Sequence, residues 1–234
     1  MKRTLLAIIF LFFVTNSFAV DKQDIITTLG QIKNATMRGE FDTKKLDIIR
    51  GAVESLRNYG INSDADLEKY VTPADFNILH DALKMIVLKD YANQREFDNA
   101  KSIMSSLVAL GGKIEQVNAN KQTLLHQLVQ KDEPVALDMV IAVSKIAQRD
   151  LPKEEFDQFI NAVDNQGKTA LDYVTECRTN ANKIMDKDLC NAMSKELKKM
   201  GAQLGSRVIS DDMAGGLRSL VGKLTGLRTA LLGR

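Results

Sequence analysis

Apolar positions in this chain recur at helical steps. Ile25, Ile26, Leu29 and Ile32 share one face of a predicted helix over Asp24 to Arg38. Leu46, Ile49, Val53 and Leu56 do the same over Thr43 to Tyr59. Farther on the pattern acquires a fixed period. Asn77-Ile-Leu-His80-Asp-Ala-Leu, Thr123-Leu-Leu-His126-Gln-Leu-Val and Thr169-Ala-Leu-Asp172-Tyr-Val stand 46 residues apart. Such a spacing marks units that bury their apolar faces only by stacking on one another.

A second mark runs beside the first. Leu56-Arg-Asn-Tyr-Gly60, Leu107-Val-Ala-Leu-Gly111 and Leu197-Lys-Lys-Met-Gly201 each close an amphipathic helix with glycine. Glycine just past a helix takes the left-handed conformation without a Cβ penalty. The predicted unit is a helix opened by T-x-L-H, a second helix closed by glycine, and a polar connector. The prolines fit this punctuation: Thr72-Pro73-Ala-Asp75, Glu133-Pro134 and Leu151-Pro152 all read as helix starts. The first helix pair has no T-x-L-H and is expected to cap the stack. The middle unit lacks the glycine stop, and Ile146 to Glu155 runs on into an insertion.

Asp164-Asn-Gln-Gly167-Lys-Thr169-Ala-Leu171 fits D-x-x-G-x-T-P-L, and Asn118-Ala-Asn-Lys-Gln-Thr123-Leu-Leu125-His126 follows it. Over roughly residues 42 to 204 the chain resembles the ankyrin-repeat family. Its period departs from that family's usual spacing of about 33, and HEAT repeats of about 40–47 residues are the alternative. The resemblance implies an all-α fold: a short α-solenoid of ankyrin-like helix-turn-helix repeats with capping helices. It also implies binding of another protein through projecting connectors, here Gln116 to Gln122 and Asp164 to Lys168. Within them Asn118, Asn120, Asp164 and Asn165 suit turns. Gln116, Lys121, Gln122, Gln166 and Lys168 are the candidate contacts. His80 and His126 recur with the repeat, and the resemblance gives them a structural role in joining neighbouring connectors.

The ends of the chain add a compartment. Met1-Lys2-Arg3-Thr4 is basic, Leu5 to Val14 is apolar, and Ser17-Phe18-Ala19 offers a signal-peptidase site. Residues 1–19 are therefore expected to be a secretory signal peptide, of bacterial look, leading to a periplasmic or secreted protein. No cysteine follows the cleavage point, which argues against a lipid anchor. Cleavage would remove Lys2 and Arg3, lowering the basic count from 32 to 30 against 30 acids. The mature chain, residues 20–234, is then neutral, and no nucleic-acid partner is implied. In an oxidising compartment an even cysteine count points to a disulfide. Cys177 falls late in the last inner helix and Cys190 early in its partner, so an antiparallel hairpin brings them together. A crosslink of this length contributes about 3 kcal/mol. Two free buried thiols are the alternative.

Residues 205–234 differ from the repeat domain over 20–204. Leu217, Leu220, Val221, Leu224, Leu227 and Leu231 recur at helical spacing, with Arg218, Lys223 and Arg228 between them and no acid after Asp212. A basic amphipathic tail of this kind caps the last unit, or lies on a membrane surface or a partner. Its glycines weaken the helix by about 1 kcal/mol each.

The chain holds no zinc spacing, nucleophile elbow or phosphate-cradling loop. Glu154-Glu155 and Asp211-Asp212 read as solvated pairs. No catalytic residue, metal or cofactor is implied. The expectation is an exported protein-interaction module, the alternative a membrane-surface protein working through its tail.

Overall fold

The computed structural model describes residues 21–37, 41–179 and 186–208, and every regular element among them is helical. The expected signal segment lies outside these residues, as does the tail beyond 208 with Leu217 to Leu231. The helices are α1 (Lys22–Thr36), α2 (Thr43–Asn58), α3 (Asp64–Leu67), α4 (Phe76–Leu88) and α5 (Gln94–Ala109). They continue with α6 (Leu124–Leu128), α7 (Pro134–Asp150), α8 (Lys153–Ile160), α9 (Ala170–Thr179) and α10 (Lys187–Lys199).

Starts and stops are set locally. Side chains of Asp21, Asp42, Asn93 and Asp186 accept backbone N–H groups in the first turns of α1, α2, α5 and α10. Pro134 opens α7, where a missing N–H costs nothing. Three helices end in one motif. Gly60, Gly111 and Gly201 take φ of 81°, 97° and 93°. Their N–H groups donate to Arg57, Val108 and Lys198, and the next residues donate back to Leu56, Leu107 and Leu197. This pair of bonds satisfies carbonyls that the helix end leaves open. The middle unit has no such glycine. Asp150 and Leu151 pass instead to Pro152, and the eight-residue α8 fills the insertion.

The helices pack in pairs, α1–α2, α4–α5, α6–α7 and α9–α10, and the pairs lie side by side in two rows. One row is α1, α4, α6 and α9; the other is α2, α5, α7 and α10. Between the rows runs one core, from Ile25 and Ile49 through Leu79, Leu83, Met104 and Leu107 to Val140, Val174, Met193 and Leu197. Cys177 and Cys190 meet inside it at disulfide distance, with Cα atoms 6.3 Å apart and both side chains buried. That places the last helix pair under the constraint expected from the sequence.

The turns within the pairs lie at the far end of the helices from the connectors, and they are bonded one to the next. The Thr43 hydroxyl donates to Glu96 at 2.6 Å, and the Lys89 ammonium donates to the same carboxylate at 2.9 Å. Lys131 donates to the Leu88 carbonyl at 2.7 Å and pairs with Asp90. The Asp186 N–H donates to Asp132 at 3.1 Å. A polar ladder thus holds one edge of the stack.

Candidate functional site

The other edge carries the connectors, and two of them are built alike. Asn118 and Asp164 stand 46 residues apart and make the same bonds. The Asn118 N–H donates to the Gln122 carbonyl at 3.0 Å, and the Asp164 N–H to that of Lys168 at 2.9 Å. The Asn118 Oδ1 accepts the N–H groups of Asn120 and Gln122, and the Asp164 Oδ1 those of Gln166 and Lys168. The third positions after them, Lys121 and Gly167, take φ of 59° and 73°. Left-handed backbone is easy for glycine and uncommon for lysine, so the shared loop shape outweighs the residue preference at Lys121.

The two loops touch. The Asn165 N–H donates to the Asn120 carbonyl at 3.0 Å, and its side-chain amide to that of Ala119 at 3.3 Å. Ala119 occupies the equivalent place in the first loop and has no side-chain amide to reach backward. The segment 46 residues before that loop is a 3-10 turn, Pro73–Asp75. Thr72 and Asp75 cap it, so α4 is already running when it reaches Asn77, the position aligned with Thr123.

Below each loop a helix opens on Thr-x-x-acceptor. The Thr123 N–H donates to His126 Nδ1 at 3.1 Å, and the Thr123 hydroxyl lies 2.9 Å from the same nitrogen. His126 Nε2 then donates to the Lys168 carbonyl at 3.0 Å, tying α6 to the following loop. Asp172 holds the equivalent place in α9 and accepts the Thr169 N–H at 2.8 Å. A carboxylate cannot donate to a carbonyl. Asp172 instead accepts the Gly205 N–H at 2.7 Å, and the Thr169 hydroxyl donates to the Gln203 carbonyl at 2.8 Å. His80, one turn inside α4, reaches the Lys113 carbonyl with Nδ1 at 2.8 Å. The three residues share a task and perform it with different atoms.

Burial drives the His126 pKa down, outweighing the Lys168 and Ala162 carbonyls and the carboxylates of Asp164 and Asp172, which all favour the charged ring. Burial pushes the Asp164 carboxyl up, but donors from Tyr173, Lys168 and Gln166 prevail and hold it below the ordinary value. The Tyr173 hydroxyl, 2.5 Å from Asp164 Oδ2, is raised by burial and by that carboxylate. Thr123 and His126 are each 1% exposed. Although hydroxyl and imidazole are in contact, the pair is sealed from solvent and caps a helix rather than facing a substrate.

Of the predicted contacts, Lys121 and Gln166 lie exposed on the two loops. Gln116 is half-buried on the approach, beside the exposed Val117. Gln122 and Lys168 are drawn together over α9. Gln122 accepts from the Asn118 amide at 3.2 Å and bonds Tyr173. The Lys168 ammonium sits 5.3 Å above the Tyr173 ring and 2.6 Å from Glu176. Tyr173 is the residue that sequence reasoning missed. Its cue is its place one residue after the Asp172 that replaces histidine.

Two open clefts flank this edge and the far one. A cleft of about 620 Å³ runs beside α8, past Asp157, Asn161 and Val163, to Val208. Another of about 440 Å³ lies between the start of α2 and the end of α4, lined by Phe41, Lys84, Met85 and Leu88. Among the described residues no three His, Cys, Asp or Glu side chains gather as a metal ligand set. No helix among them is long and apolar enough to cross a membrane. Comparison with known proteins returns nothing: no family model, no curated protein and no solved structure matches the chain.

Proposed function

We propose that this chain is an exported, ankyrin-like module that binds another protein across its connector edge. The observation that carries this reading is the joined pair of loops. Their backbones are fixed by repeated internal bonds, while Asn120, Lys121, Asn165 and Gln166 lie exposed along them. Rigid presentation of polar side chains lowers the entropy lost on binding. A stack also offers a partner a long surface rather than a single pocket. Export rests on the segment up to Ala19, and mass spectrometry of protein from the native host should find Val20 at its start.

The test is capture with residues 20–234 as bait in the compartment where the protein resides. Changing Lys121→Glu together with Gln166→Ala should abolish capture and leave the melting temperature in place. Undiminished capture by this variant would remove the connector edge from consideration. The acid-free stripe from Leu217 to Leu231 favours a second reading, attachment to anionic membrane through the tail. Deleting residues 213–234 separates the two. Loss of vesicle binding and localisation, with capture retained by the loop variant, supports the tail.

A further inference from the structure

We propose that the joint between the two loops is acid-sensitive: adding a proton to His126 releases the Thr123 N–H at the start of α6 and so loosens the Asn118–Gln122 loop against the loop that follows. That this would loosen partner binding rests on the reading above; the opening of the joint does not.

The argument is one of donors and acceptors. Nε2 faces the Lys168 carbonyl and must carry the hydrogen. Nδ1 faces the Thr123 N–H and must be bare. The neutral ring therefore has one tautomer that fits. A proton taken from solvent bonds to Nδ1 and turns that acceptor into a donor. Two N–H groups then confront each other at a separation now occupied by a hydrogen bond. The Thr123 hydroxyl can rotate to accept, but the backbone N–H cannot. Helix α6 is five residues long, so this cap satisfies a large share of its free N–H groups.

The ring cannot turn away, because it is buried and meets the Tyr173 ring edge-on at 6.1 Å. The charged groups facing it are the carboxylates of Asp164 in the second loop and Asp172 on α9, and both favour the imidazolium. The Lys168 ammonium is held aside by Glu176. Helices α4 and α7, which also pack on α6, bury no ionisable group. The carboxylates therefore help the proton in, while the cap has nothing to replace its lost acceptor. The imidazolium keeps its Nε2 bond to the Lys168 carbonyl, so the disturbance passes outward through the cap. Thr123 follows Gln122, and that loop holds the second through the Asn120 carbonyl and the Asn165 N–H.

The full chain, isotope-labelled, tests this by NMR without a partner, so failure here is distinct from failure of the binding reading. With two histidines, the His126 ring signals are identified by comparison with His80→Gln. The sample is followed from about pH 7.5 to about pH 4.5. As His126 gains its proton, amide exchange at Thr123 and Asn165 should accelerate about tenfold more than in α1 and α2, after correction for intrinsic rates. His126→Asn keeps a neutral acceptor and should hold both amides across the range. Protection that persists through the His126 titration overturns the proposal. So does the same acceleration in His126→Asn, which would move the cause to Asp164 or Asp172. Should His126→Asn not fold, the wild-type titration still decides, because loss of protection has to track the ring signals.

Discussion

At the residue scale, the connector edge depends on which atom donates. His126 and Asp172 stand at equivalent places, yet one gives a hydrogen and the other takes one. The surrounding bonds reverse to suit, with the Thr169 hydroxyl taking over the donation that His126 makes for itself. Replacing His126 with Ala leaves the buried Thr123 N–H without a partner and leaves the Lys168 carbonyl with the Asp164 N–H alone, at a cost of about 1–3 kcal/mol. A lower midpoint in thermal unfolding at neutral pH should register this. The sign of its pH dependence follows from the shift. The folded-state pKa lies below the ordinary 6.5. The neutral ring's contribution is complete above that value and is lost as pH falls through the folded pKa. Wild type and His126→Ala should therefore converge in stability on acidification, which urea titrations at a series of pH values would show.

At the element scale, glycines set where helices stop and how closely connectors approach. Gly201 has φ of 93°, and a Cβ added there would meet only open space. Gly201→Ala should cost about 1–2 kcal/mol, from backbone conformation alone. At Gly205 the backbone is not left-handed, but a Cβ there would sit 2.2 Å from the Gly167 carbonyl oxygen. Gly205→Ala has to push two loops apart, and should cost about 1–3 kcal/mol with loss of the Asp172 bond besides. Chemical denaturation of the two variants, read with the amide shift of the residue that follows Leu204, separates strain within a residue from strain between elements. The α9–α10 hairpin supplies the third element-scale test. Exchanging Cys177 and Cys190 for Ser removes a crosslink spanning 13 residues, worth about 3 kcal/mol. Stability in urea should drop by that amount and become insensitive to reductant.

At the scale of the whole molecule, the stack is held along two edges by different means. The connector edge uses backbone loops and caps; the far edge uses side chains bonded across pairs. Lys89 and Glu96 have side chains only 10% and 8% exposed, and Thr43 of the preceding pair donates to the same carboxylate. Burial raises the Glu96 pKa, yet the donors of Thr43, Lys89 and Ala92 prevail and lower it. Glu96→Ala leaves the buried Lys89 ammonium without its paired carboxylate and should destabilise by about 3–5 kcal/mol. Replacing both partners by Met and Leu should cost much less, and a double-mutant cycle by urea unfolding would measure the difference. Because contacts run between neighbouring pairs, the loss at Glu96 should appear as faster amide exchange in α2 and α5 before α10.

The sequence by itself determined the helix stops, the period and the cysteine pair. Each rests on bonds within one element or between adjoining ones. A glycine one turn past a leucine closes its own helix, and a threonine caps with the third residue after it. The repeat predicted that His126 would join connectors, and the ring does meet the Lys168 carbonyl, 42 residues on. What the sequence left open was polar pairing over distance. Nothing local joins Thr43 to Glu96, 53 residues away. Tyr173 had no assigned part in the sequence, and its hydroxyl finds Asp164 only because α9 turns that face under the second loop. Asp172 stands where the two preceding units carry histidine, and only the fold brings the Gly205 N–H to it as a second donor beside the Thr169 N–H. Apolar periodicity survives in sequence because burial is a property of a face. Which buried polar atom meets which depends on distances of a few tenths of an ångström, set once the pairs have stacked.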